Sequence, residues 1–90
     1  IGVDIQIFKS ADINKISKRY FTYEERAYIE QQGEDAFYFI WTRKEAYCKY
    51  TGNGLQDILA KQPVINRDDV DFIDFKLEDG LYCSCCFEKK

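Results

Sequence analysis

Glu45 and Lys49 stand four residues apart, which makes them an acid and a base one turn from each other if the chain there is helical. Their surroundings are Phe37-Tyr38-Phe39-Ile40-Trp41-Thr42-Arg43-Lys44-Glu45-Ala46-Tyr47-Cys48-Lys49, closed by Gly52-Asn53-Gly54. Helical spacing puts Phe37, Trp41, Glu45 and Lys49 on one face, aromatic in its first half and charged in its second. A helix with a purely structural role keeps such a stripe apolar throughout. Two readings follow. One is a functional acid and base; the other is a solvated i,i+4 pair worth only a few tenths of a kcal/mol. Spacing alone favours the second.

Other residues capable of chemistry are scattered. Asp4 sits in Gly2-Val3-Asp4-Ile5-Gln6-Ile7-Phe8, whose alternation predicts a strand with Val3, Ile5 and Ile7 on one face and Asp4, Gln6 and Phe8 on the other. A buried Asp there needs a cation or donor, while a solvated outer face would excuse it equally well. Glu25 is the third residue after Thr22, the spacing of a capping box, which gives it a structural role in starting a helix. Four cysteines, Cys48, Cys83, Cys85 and Cys86, lack the paired C-x-x-C spacing of zinc sites, and the chain has no His. They read as small buried hydrophobes in a reducing cytoplasm.

Positioning these residues needs a particular order of elements. After the first strand, residues 10–21 carry Ile13, Ile16 and Tyr20 at helical spacing, with Lys15, Lys18 and Arg19 between them. The box at Thr22 starts a second helix that runs through Ile29 to about Gly33. Glu34 and Asp35 suit the start of the central helix, and Gly52 and Gly54 can end it. Residues 55–63 read as an ordered loop. Alternation over 71–77, imperfect in register, then Glu78-Asp79-Gly80 and the run from Leu81 to Phe87 predict a hairpin. Strand, three helices and a hairpin make an α+β fold occupying residues 1–90 as one domain.

Composition sets limits. Ninety residues, 46% hydrophobic and 17% aromatic, suffice for one small packed core. A net charge of −3 offers no blanket attraction to nucleic acid, and the apolar runs are too short to span a bilayer. No signal peptide opens the chain, and with no Met its β-branched start looks like part of something longer.

Read together, two separated motifs become specific. Gly2-Val3-Asp4, and then Trp41-Thr42-x-Lys44-Glu45-Ala46-x-x-Lys49 followed by Gly52-x-Gly54-Leu55, resemble the paired signature of the 4'-phosphopantetheinyl transferases. Arg19-Tyr20-Phe21-Thr22-x-x-Glu25 resembles the region between those motifs in the larger, surfactin-type members. That family transfers the phosphopantetheine arm of coenzyme A to a serine of an acyl or peptidyl carrier protein (holo-acyl-carrier-protein synthase activity), releasing adenosine 3',5'-bisphosphate.

The resemblance implies a magnesium ion held by Asp4 and Glu45, since magnesium accepts one or two carboxylates plus substrate phosphates. It implies that Lys49 meets the scissile phosphate and can protonate the leaving group. Glu25 matches an acid that helps deprotonate the serine, in competition with its capping role. Lys44 offers a phosphate contact, though its place off the stripe reads as a surface lysine. Where the larger members commonly carry a third acidic ligand, this chain has Gln6, whose amide oxygen can coordinate without adding charge. The lack of His and the Trp before the Lys-Glu pair resemble the C-terminal half of a pseudo-dimeric, surfactin-type member. Coenzyme A contacts would then lie partly outside these 90 residues, and the chain would pair with an N-terminal half or with a copy of itself. This leaves open whether the chain acts alone. The rival reading is a non-catalytic interaction module with an aromatic docking face, in which Asp4, Glu45 and Lys49 would scatter.

Overall fold

In a computed structural model, which describes residues 1–7, 13–52, 62–65 and 67–89, a long central helix lies across one face of a small sheet. In chain order the elements are β1 (Gly2–Ile7), α1 (Ile13–Tyr20), α2 (Tyr23–Gln32), α3 (Glu34–Thr51), β2 (Val70–Glu78) and β3 (Leu81–Glu88). The sheet is antiparallel, with order β1-β3-β2, so the first strand adds to the last one of the hairpin. This is the α+β arrangement expected. Expectations for Phe8, the start of the first helix at residues 10–12, Gly54 and the loop over 55–61 lie outside the described residues.

Local chemistry sets the boundaries. Thr22 caps α2 by accepting from the Glu25 backbone N–H at 3.2 Å, while Glu25 Oε1 accepts from the Thr22 N–H at 2.9 Å, so both halves of the box form. Gly52 ends α3 in the left-handed region (φ 79°), and its N–H reaches the Cys48 and Lys49 carbonyls. The imperfect alternation of β2 has a structural cause in a register shift between Lys76 and Glu78.

The core forms where α3 meets the other helices and the sheet. Phe37, Tyr38, Ile40 and Ala46 are buried along α3, Phe21 packs on Phe37 at 5.4 Å, and Tyr82 of β3 meets Tyr38 and Phe39. Trp41 is half-buried between Tyr20 and Phe21, with ring centroids at 5.3 and 6.2 Å. The aromatic half of the stripe is thus internal packing, which removes the docking face of the interaction-module reading.

The polarity of β1 is the opposite of a simple amphipathic strand, although Val70, Phe72, Tyr82 and Cys86 keep the inner face of the sheet partly apolar. Registered triplets such as Asp4, Ser84 and Asp74 point toward α3, whereas Val3 and Ile5 of β1 and Ile73 and Phe75 of β2 share the outer face with Cys83 and Cys85. On that outer face Ile5 is 58% exposed and Phe75 47%. Cys86 points inward and is buried, and all four thiols are free.

Candidate active site

Gly2 brings β1 close to α3. A Cβ built there would stand 2.0 Å from the Ala46 carbonyl oxygen and 2.4 Å from the Tyr50 nitrogen, so only glycine allows this approach. Asp4, two residues on and on the same face, therefore lands beside the turn of α3 that carries Glu45 and Lys49. Asp4 is only 3% exposed, and its Oδ1 accepts from Lys49 Nζ at 2.8 Å. Residues 45 positions apart in sequence thus meet in one ion pair.

Glu45 completes the cluster electrostatically. Burial first, and then the negative charge of Asp4, raise its pKa above the ordinary carboxylate value, with Lys49 opposing. The hydrogen bond to Asp4 raises the pKa of Lys49, and the charges of Asp4 and Glu45 add to this. Asp4 thus bears on Glu45 through its charge while pairing directly with Lys49, and these two carboxylates are the groups here that could hold a cation. Hard oxygen donors suit magnesium. Among the described residues no group of three or more His, Cys, Asp or Glu gathers.

Gln6 meets Asp4 through its amide nitrogen rather than its oxygen. Its side-chain Nε2 donates to Asp4 Oδ2 at 2.6 Å, so the amide serves the carboxylate as a donor.

Glu25 keeps its capping role, while Lys44 departs from expectation. Lys44 is not a surface lysine: it is 1% exposed, pairs with Glu25 Oε1 at 2.7 Å and donates to the Gln62 carbonyl at 2.8 Å. Polarity put it at the surface; the acid of α2 drew it inside. Glu25 has no exposed surface, and its second oxygen accepts from the Val64 N–H at 2.8 Å. Thr22, Lys44 and Val64 all bind this carboxylate, leaving it no open side toward a substrate hydroxyl.

One constellation carries no signal in the sequence. Arg43 grips Asp74 with Nε at 2.9 Å and a second nitrogen at 2.6 Å, reaches the Val64 carbonyl at 2.8 Å, and lies over the Phe72 ring. Ser84 donates to the same Asp74 at 2.7 Å. Only strand pairing brings these residues together. A cleft of about 480 Å³ opens between α1 and α2, lined by Ser17 and Arg26 among others, and contains none of Asp4, Glu45 or Lys49.

Comparison with known proteins identifies the family. The family model described as the 4'-phosphopantetheinyl transferase superfamily matches residues 1–89. The chain is 34% identical over 84 residues to a 4'-phosphopantetheinyl transferase of Bacillus subtilis, covering 89% of this chain and 37% of that protein. It is 27% identical over 104 residues to the 4'-phosphopantetheinyl transferase gsp of Aneurinibacillus migulanus, covering 96% of this chain and 43% of that one. The 4'-phosphopantetheinyl transferase HetI of Nostoc is 35% identical over 60 residues, covering 61% of this chain and 25% of that protein. The chain thus spans about two fifths of the length of the first two relatives. No solved structure matches it. With strand aspartate and helix lysine paired and a family match along residues 1–89, the chain belongs to the 4'-phosphopantetheinyl transferase superfamily.

Proposed function

We propose that this chain supplies the cation-binding and lysine half of a 4'-phosphopantetheinyl transferase site, which moves the arm of coenzyme A to a serine of an acyl or peptidyl carrier protein. The observation that carries the reading is the ion pair of Asp4 on β1 with Lys49 on α3, with Glu45 close enough for the charges of both to act on it. Asp4 and Glu45 would hold magnesium, which when bound neutralises charge on the attacked pyrophosphate. Lys49, its ammonium held in the charged form by both carboxylates, contacts the anionic substrate and can give a proton to the departing oxygen. Lys44 and Glu25 act behind this site, as an internal pair that fixes residues 62–64 against α2 and α3.

The exposed outer face of the sheet supports a second element of the proposal. Val3, Ile5, Ile73, Phe75 and Leu77 form an apolar surface. Apolar area returns about 25 cal/mol for each Å² removed from water. The chain is therefore proposed to be the C-terminal half of a pseudo-dimeric enzyme, pairing through this face with an N-terminal half or with a copy of itself. Among the described residues no helix is long and apolar enough to cross a membrane, and the free thiols fit a reducing cytoplasm.

The test is modification of apo carrier protein, followed by mass spectrometry with coenzyme A and magnesium, on sedimentation fractions of the chain. Arm transfer by the paired species, abolished in Asp4→Asn and Glu45→Gln, is expected. Transfer that survives either substitution at the wild-type rate would sink the assignment.

A further inference from the structure

Both oxygens of Asp4 are engaged, and the two partners are unlike. Gln6 holds Oδ2 from two residues along the same strand, so strand geometry keeps it there. Lys49 holds Oδ1 from another element, through a four-carbon stem with the side chain 55% exposed. The amide is fixed. The ammonium is free to leave.

We infer that Lys49 is the resident counter-ion of Asp4, and that a divalent cation entering between Asp4 and Glu45 takes over Oδ1 and releases it. The inference rests on the cation site proposed at those two carboxylates. A buried carboxylate needs a compensating partner, and Lys49 provides one until the cation does. With Lys49 in place the trio is net negative. A dication makes it net positive, so the ammonium is repelled from Asp4 and drawn to an anionic substrate. Cation binding and the arming of Lys49 are then one event. Gln6 keeps its bond to Oδ2 throughout as a positioning residue, holding the freed Oδ1 toward the cation.

The test needs no turnover. Manganese binding to the 90-residue chain, without nucleotide, is measured by electron paramagnetic resonance for wild type, Lys49→Met, Lys49→Arg and Asp4→Asn. In parallel, the Lys49 side-chain nitrogen signal is followed by NMR during titration with magnesium. Removing the competing charge should tighten manganese binding about five-fold, the scale of a half-exposed ion pair. Lys49→Arg should bind as wild type does, and the Lys49 signal should shift and saturate with magnesium. Wild-type affinity in Lys49→Met, or a Lys49 signal unmoved at saturating magnesium, overturns the exchange while leaving the cation site standing. Manganese binding unchanged by Asp4→Asn removes the site itself, and the exchange with it.

Discussion

Lys44→Met should cost this fold a large part of its stability, although Lys44 lies outside the proposed site. Glu25 has no exposed surface and Lys44 is 1% exposed, with 2.7 Å between their charged atoms. Breaking a pair buried to this degree typically costs about 3–5 kcal/mol, because the remaining charge stays desolvated and unpaired. The lost bond to the Gln62 carbonyl adds about 1 kcal/mol. A domain of this length has roughly 5–13 kcal/mol in total. The substitution should therefore remove a third or more of it. Urea unfolding followed by Trp41 fluorescence is the assay, since Trp41 packs on Tyr20 and Phe21 and reports their separation. At about 1–3 kcal/mol per molar urea, the midpoint should fall by at least ~1 M. Glu25→Gln/Lys44→Met should lose less than the sum of its single variants, because no lone charge is left inside. A Lys44→Met midpoint within a few tenths molar of wild type would refute the reasoning. It would mean that water or the Thr22 and Val64 N–H groups compensate Glu25 without its partner.

Three further outcomes are expected. Gly2→Ala should destabilise the chain by about 1–3 kcal/mol or more, read by thermal melting, because the new methyl meets the Ala46 and Tyr50 backbone and cannot be accommodated by a side-chain move. Magnesium should bind weakly alone and more tightly with coenzyme A present, and Gln6→Glu should strengthen binding of the free ion; titration calorimetry decides, and tight nucleotide-independent binding would contradict a two-carboxylate site. Asp35 has its pKa lowered from 3.8, first by the Tyr82 hydroxyl and then by Lys76. Its contribution to stability is present above the unfolded value and lost as pH falls through the lower folded one, so Tyr82→Phe should move the Asp35 carboxyl midpoint upward toward 3.8 in an NMR titration.

Much of the site was legible because it rests on local periodicity. The four-residue spacing of Glu45 and Lys49 needed only a helix, and the Thr22–Glu25 box announced where α2 begins. Alternation in β1 correctly separated Asp4 and Gln6 from Val3 and Ile5, but a pattern of period two does not say which face goes inside. Here the polar face goes inside, because Gly2 lets β1 sit against α3 and Lys49 and Gln6 satisfy Asp4 there. The inward position of Lys44 escapes sequence patterns for a related reason. Its burial depends on Glu25, 19 positions earlier, and no spacing rule connects residues of α2 and α3 at that distance. Arg43, Asp74 and Ser84 were illegible for the same cause, since the strand order that joins them is not a local property.

The inverted polarity of β1 also creates a problem of alignment during folding. Sliding the strand one residue along β3 would turn Val3 and Ile5 inward and send Asp4 out to water. For an uncovered sheet the hydrophobic effect favours that wrong alignment. Gly2 blocks it. The spot beneath Ala46 and Tyr50 has no room for a Cβ, so neither Ile1 nor Val3 can take the place of Gly2 there. Covering the outer face reverses the remaining bias, because Val3 and Ile5 then gain burial without moving. The one residue of β1 without a side chain is thus the gauge that decides whether a carboxylate or an isoleucine faces the lysine of α3.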